Sequence, residues 1–262
     1  MIPKSYITEW TGIVPWQEPR QIEQDLIITT ALLKLYGNQA LQESLAFRGG
    51  TALNKLFFNP PSRYSEDIDL VQTTGQAIGP TIEIIRDVMQ ALLGEPKRSF
   101  SQGCVTLSYR VTSEEGFPIK LKLEINTREH FSVLGFQESL FKSRSSWHSG
   151  DVIIRTYKIE ELLGTKLRAL YQRRKGRDLY DLYMALTTLP TMDVDAILQC
   201  FTAYTEHNQQ HISQTLFLKN MEEKIKHKEF QEDTIPLLPR HKKIFNPYEA
   251  YEYVREQLIK KL

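Results

Sequence analysis

The residues best suited to chemistry lie in the string FRGGTALNKLFFNPPSRYSEDIDLVQ, residues 47–72. Asp67 and Asp69 stand in an alternating run, Asp67-Ile68-Asp69-Leu70-Val71. On a strand their carboxylates share one face while Ile68 and Leu70 turn to the core. Paired like charges repel unless a cation lies between them. Hard divalent ions take oxygen ligands and combine one or two carboxylates with substrate phosphates. Upstream, Gly49-Gly50-Thr51 reads as a tight turn leading into a short helix over 52–57. A helix N-terminus offers backbone N–H groups and a positive dipole end to an anion. A phosphate cradle followed by a metal-binding strand is what phosphoryl or nucleotidyl transfer requires. An Asp-x-Asp alone also suits a solvated surface strand. The Gly-Gly-Thr at this spacing favours the chemistry.

Glu124 is a candidate third carboxylate. It stands in Ile119-Lys120-Leu121-Lys122-Leu123-Glu124-Ile125, opposite the apolar face and beside Lys120 and Lys122. It either completes a metal cage from an adjacent strand or pairs with its lysines. Arg48, before the Gly-Gly turn, suits a phosphate contact or a salt bridge holding that turn. Lys166 lies among Leu162, Leu163, Leu167 and Leu170 on a predicted helix, where it snorkels to the surface or enters a cleft to meet phosphate. From 166 to 177 the charged residues are Lys166, Arg168, Arg173, Arg174, Lys175 and Arg177, with no acid between them. Such a patch suits triphosphate and RNA backbone, or is a solvated helix end.

The elements that must position these groups follow from periodicity. Residues 1–19, with Trp10 and Trp16, form an irregular arm. A helix over 22–36 turns Glu23 and Asp25 outward and stops at Gly37-Asn38. Phe47 sits on a short strand, and a helix covers 81–93. Strands at 104–111 and 119–125 flank a turn at Glu114-Glu115-Gly116 as a hairpin. Residues 131–150 read as polar and irregular, and 151–155 as a short strand. Helices follow over 159–172, 177–186, 194–204, 212–227 and 248–262. His207, His211 and His227 lack ligand companions, so no metal is assigned to them. Arg240-His241-Lys242-Lys243 is a small basic cluster, suited to a solvated loop or to RNA.

At 262 residues the chain makes one large domain or two small ones. Its 41% apolar and 25% charged residues are ordinary for a globular protein. A net charge of +1 excludes a globally basic nucleic-acid binder while leaving room for a local patch. Cys104 and Cys200 are too few for a disulfide framework, which points to a reducing compartment. The opening MIPKSYITEW has no apolar signal core, and no stretch is long and apolar enough to span a membrane. The expectation is a cytoplasmic protein.

Gly49-Gly50-Thr51 followed by Asp67-Ile68-Asp69 resembles the signature of the DNA polymerase β-like nucleotidyltransferases. The longer FRGGTAL…RYSEDIDL resembles, more specifically, the AbiEii/AbiGii toxin branch. The resemblance covers most of the chain and is strongest at 16–72 and 158–183. It implies an α/β (α+β) fold: a nucleotidyltransferase core with a small mixed sheet over 1–155, and a helical half over 156–262 that completes the active cleft. It implies Asp67, Asp69 and Glu124 as ligands of Mg2+ or Mn2+, the string KLEINTRE being similar to the family's strand. Gly49, Gly50 and Thr51 would bind the phosphates of an NTP, with Arg63 and Ser65 flanking the nucleotide. Lys166 would pair with Asp178 of Arg177-Asp178-Leu179-Tyr180-Asp181 and neutralise the triphosphate. Asp178 otherwise serves as a helix N-terminal charge, and Asp181 caps or braces that helix.

The implied activity is NMP transfer from an NTP to RNA, with release of pyrophosphate. The acceptor would be the tRNA 3′ end, with Arg168, Arg173, Arg174, Lys175 and Arg177 as RNA contacts. The implied setting is a bacterial toxin–antitoxin or phage-defence pair with a cognate antitoxin encoded nearby. The alternatives are a nucleotidyltransferase acting on a small molecule or a protein hydroxyl, and a non-catalytic protein that binds nucleotide or a partner.

Overall fold

A seven-stranded sheet, with buried and exposed side chains alternating along its two long central strands at 104–112 and 118–126, is the frame on which the first half of the chain is built. The structure, a computed structural model, describes residues 2–189, 192–241 and 245–262. Lys242 and Lys243 of the small basic cluster lie outside the described residues. The chain divides into two compact units, Met1–Ser132 with Phe136–Tyr157, and Lys158–Leu262 with Val133–Gly135.

The strands of the first unit are β1 (Leu45–Arg48), β2 (Ile68–Gln72), β3 (Lys97–Ser101), β4 (Cys104–Thr112), β5 (Pro118–Asn126), β6 (Phe136–Arg144) and β7 (Ser149–Tyr157). Their order is β3-β4-β5-β2-β1-β7-β6. β2 with β5 and β1 with β7 run parallel, and the other pairs run antiparallel. The helices here are α1 (Lys4–Thr11), α2 (Pro19–Tyr36), α3 (Gln39–Ser44), α4 (Gly49–Ala52) and α5 (Gly79–Leu93). One sheet face carries Val105, Leu107, Tyr109, Leu121, Leu123 and Ile125, all buried, and α5 packs on β4 while α2 packs on β5. The opposite face of β3, β4 and β5 is polar. This is the one-sided pattern of an antiparallel sheet.

Several elements depart from the sequence reading. The arm before residue 19 contains α1, and 131–150 holds most of a hairpin made by β6 and β7. β3 reads KRSFS and is exposed at every residue. It is an edge strand without an apolar face, so periodicity had nothing to register. Glu23 and Asp25 are not outward: they are 4% and 2% exposed. α2 is covered on this side as well, and each acid has a partner that excuses its burial. The Glu23 carboxylate accepts the Glu114 N–H at 3.1 Å. Asp25 accepts the indole N–H groups of Trp10 at 3.0 Å and Trp16 at 2.9 Å, and the Lys55 ammonium at 2.7 Å. Between them Gln24 donates to the carbonyls of Glu66 and Lys120. α2 thereby grips both the approach to β2 and the start of β5.

The second unit is helical: α6 (Ile159–Gln172), α7 (Gly176–Thr188), α8 (Val194–His207), α9 (Gln214–Lys224), α10 (Lys228–Glu232) and α11 (Pro247–Gln257). Its core includes Leu163, Leu167, Leu179, Phe201, Phe217 and Phe230, each fully buried.

Removing one member of a buried ion pair leaves the other unpaired and typically costs about 3–5 kcal/mol. Asp25→Ala strands two indole N–H groups and the Lys55 ammonium. We expect destabilisation of roughly 3 kcal/mol, read as a lowered urea midpoint, with Asp25→Asn losing less. An unchanged midpoint would remove Asp25 as the anchor of the arm.

Candidate active site

The parallel pairing of β2 with β5 sets Asp69 directly beside Glu124, between the buried pairs Ile68–Leu123 and Leu70–Ile125. Asp67, just ahead of β2, falls on the same face as Asp69. The Lys122 ammonium lies 4.0 Å from Asp67 Oδ2 and 3.8 Å from Glu124 Oε1. The lysine pairing weighed for Glu124 is therefore present, and it extends to Asp67. Burial pushes the Asp67 carboxyl up to about 6; repulsion from Asp69, Glu66 and Glu124 adds to this, while Lys122 opposes it. Among the described residues, no three His, Cys, Asp or Glu side chains converge as a ready-made metal cage. The chemistry of the donor set nevertheless suits a hard divalent ion: three carboxylates on one sheet face.

The turn before α4 is shaped around these acids. Gly49 has φ +79°, and a Cβ there would collide with the Asp69 carboxylate. A side chain is thus excluded by backbone and by space together. A Cβ on Gly50 would meet the Arg63 guanidinium, so this second glycine also marks a close approach. α4 begins without a side-chain cap at Arg48. It continues into a single π-helical turn, Leu53–Phe57, in place of the regular helix expected over 52–57.

Thr51 is 1% exposed, and its hydroxyl donates to the Asp67 carbonyl and lies 2.8 Å from Ser65 Oγ. Thr51 and Ser65 thus brace the start of the acidic strand. Arg63 is 2% exposed and donates from Nη1 to the Tyr64 carbonyl at 2.9 Å, forming part of the floor under Gly50. Asn54, not singled out from sequence, carries this loop. Its Oδ1 accepts from the Ser62 and Arg63 N–H groups, and its Nδ2 donates to the Gly50 carbonyl. Arg48 makes a 2.9 Å salt bridge to the buried Glu129, which matches the turn-holding alternative.

In the second unit, Lys166 is buried and held 3.0 Å from Asp178 and 2.9 Å from Asp181, both fully buried. Arg173 clamps Asp178 with Nε at 2.7 Å and Nη2 at 2.8 Å. Burial alone would raise the Asp178 carboxyl. Lys166 and Arg173 outweigh it and hold that group far below the ordinary carboxylate range. Lys166 neither snorkels nor stands bare: it is a cation poised between two anions.

The basic run gains acids that its own segment lacks. Arg177 pairs with Asp233 at 2.9 Å, Lys175 with Asp233 at 3.7 Å, and Arg174 with Glu229 at 3.5 Å. Arg168 is buried over the Tyr204 ring, 5.1 Å from its centroid, and donates to the Tyr204 carbonyl. The heads of Arg173, Arg174 and Lys175 remain about half exposed.

A seven-stranded mixed sheet bearing carboxylates beside a Gly-Gly turn defines the class: the fold is that of a nucleotidyltransferase. MenT4, a nucleotidyltransferase toxin from Mycobacterium tuberculosis H37Rv, is similar to it over 100% of this chain and 91% of that one, with TM-score 0.71 and 18% sequence identity. An antigenic nucleotidyltransferase-like protein from Paracoccidioides brasiliensis aligns over 70% of this chain and 88% of its own, with TM-score 0.42 and 16% identity, too distant to add to the argument. Among curated proteins, nothing matches the chain by sequence. Residues 31–254 match the family described as nucleotidyl transferase AbiEii toxin, type IV TA system, and the chain belongs to that family. It is a nucleotidyltransferase toxin of a type IV toxin–antitoxin system. Membership implies an NTP substrate and an antitoxin partner. Among the described residues, no helix is long and apolar enough to cross a membrane.

Two outcomes are expected from this geometry. Gly49→Ala forces a left-handed conformation on alanine and displaces Asp69; we expect a stability loss of about 1 kcal/mol or more, read as a lowered urea midpoint. Wild-type behaviour would mean that the turn tolerates a side chain. The second concerns pH. Because the folded Asp178 is depressed, its contribution is fully present above the ordinary value of 3.8 and fades only below it. The stability gap between wild type and Asp178→Asn should stay level from pH 8 to about 5 and narrow in stronger acid. A gap that closes near neutrality would contradict the ion-pair assignment.

Proposed function

We propose that this toxin transfers a nucleotidyl group from an NTP to an RNA acceptor, the 3′ end of a tRNA, with Mg2+ or Mn2+, in the cytoplasm and as part of phage defence. The observation that carries the reading is the pairing register that sets Asp69 beside Glu124, with Asp67 on the same face and Gly49 against Asp69. Asp67, Asp69 and Glu124 would hold one or two divalent ions, which when bound neutralise the triphosphate and polarise the reacting oxygens. Lys122 now supplies positive charge to two of these carboxylates and would give way to the stronger charge.

The remaining work falls to the chain itself. The N–H groups of Gly49, Gly50 and Thr51 receive phosphate oxygens, with Arg63 and Ser65 shaping the nucleotide end from beneath. The acceptor hydroxyl oxygen bonds to the α-phosphorus as the bond from that phosphorus to the β-phosphate oxygen breaks. Pyrophosphate departs, and the hydroxyl proton passes to a carboxylate of Asp67 or Asp69. Lys166 is assigned to the triphosphate charge, with Asp178 and Arg173 setting its position. Catalysis of this kind is largely positioning and electrostatics.

The test is incubation of the purified protein with Mg2+, each labelled NTP separately and total bacterial tRNA, beside an Asp67→Ala/Asp69→Ala variant. Label is expected on tRNA with one or two of the NTPs and with wild type alone. Label on the protein, or only on an added small acceptor, would overturn the tRNA assignment. Equal labelling by the variant would overturn the carboxylate roles.

A further inference from the structure

The open face of β3, β4 and β5 holds a depression of about 380 Å³, lined by Glu95, Lys97, Ser99, Ser108, Arg110 and Lys120. Strand register places these groups together. Lys97 is opposite Ser108, Ser108 opposite Lys122, and Arg110 opposite Lys120, so their side chains rise from one face. That face is the one bearing Glu124, because Lys120, Lys122 and Glu124 alternate with the buried Leu121 and Leu123. Each two-residue step along β5 is about 7 Å, so Lys120 stands about 14 Å from Glu124, and Ser108, opposite Lys122, is the lining residue nearest the carboxylates.

Lys97, Arg110 and Lys120 are exposed, and among the described residues none of them makes an ion pair. This is unlike the cations around them. Arg98, on the other side of β3, pairs with Glu83, and Lys122 pairs with Asp67 and Glu124. Glu95, the one carboxylate lining the depression, is already engaged by Arg86 at 2.9 Å. The basic run of the second unit differs too, since the cations at 173–175 and 177 are each matched by an acid. Three uncompensated cations and two hydroxyls on the face of a carboxylate cluster suit a chain of phosphodiesters, with cations for the phosphates and serines for sugar or phosphate oxygens.

We propose that this depression docks the sugar–phosphate backbone of the RNA acceptor, with Lys97, Arg110 and Lys120 as its phosphate contacts. The inference rests on the nucleotidyl-transfer reading and adds where the acceptor binds. It relies on charge and hydroxyls alone, so it predicts affinity with little base preference.

The test compares wild type with Lys97→Ala/Arg110→Ala/Lys120→Ala, Lys97→Arg/Arg110→Lys/Lys120→Arg and Arg174→Ala/Lys175→Ala. Binding of tRNA with an oxidised 3′ end, which associates without being extended, is followed by anisotropy across a salt series. Label transfer to intact tRNA is measured in parallel, and thermal melts verify folding. The alanine triple variant should bind at least about tenfold more weakly, and its log–log salt slope should flatten by about 2, as expected for three lost phosphate contacts on a single strand. The charge-preserving triple variant should keep its affinity. If the alanine triple variant binds like wild type, or only Arg174→Ala/Lys175→Ala loses affinity, the depression is not the docking site even if wild type labels tRNA. If wild type does not label tRNA but the alanine triple variant still loses RNA binding, the docking site stands and the transfer reading falls. If wild type neither labels nor binds RNA, both fall.

Discussion

Like charges forced together on one sheet face are the constraint to which the rest of the first unit answers. Parallel pairing of β2 with β5 is locked by buried neighbours, and the same lock leaves Asp69 and Glu124 side by side. Directly adjacent acids destabilise a sheet unless something offsets them. Here Lys122 offers an ammonium to Asp67 and Glu124, and burial with crowding pushes the Asp67 carboxyl up. An added cation would relieve this repulsion, which is the electrostatic ground of the proposed divalent-ion role. The glycine turn follows from it, since Asp69 occupies the space that a Gly49 side chain would need.

The same unit spends many buried polar groups on holding that face in register. Thr51 and Ser65 brace Asp67, while Asn54 carries the loop that returns the chain to β2. Gln24 fastens α2 to the start of β5, and Asp25 joins α2 to two tryptophans and Lys55. These groups are buried at a desolvation cost and retain their hydrogen bonds in compensation. A local glycine-rich turn thus depends on contacts reaching far along the chain.

The second unit solves a different electrostatic problem. Lys166, Asp178, Asp181 and Arg173 form a compact network in which each buried charge meets an opposite one. Asp233 likewise gathers Arg177 and Lys175. Positive charge that looks continuous in sequence is matched at 173–175 and 177 by acids from other parts of the unit, with the heads of Arg173, Arg174 and Lys175 still half exposed. The uncompensated positive charge on the face of the carboxylates sits instead on the sheet, in residues that no run of sequence groups together.

Some of this was written locally. Asp67 and Asp69 on one face, Glu124 opposite its strand's apolar side, the β4–β5 hairpin and the helix of Lys166 all follow from periods of two or 3.6 residues. The family likeness was legible for the same reason, being carried by short contiguous motifs. Edge strands β3 and β6 lay outside periodicity's reach because they have little or no continuous apolar face. The burial of Glu23 and Asp25, the pairing of Arg48 with Glu129 and the acids that neutralise the basic run were decided by tertiary structure alone. A charge's worth depends on its partner and its distance from water, and both are set by packing between residues far apart in the chain.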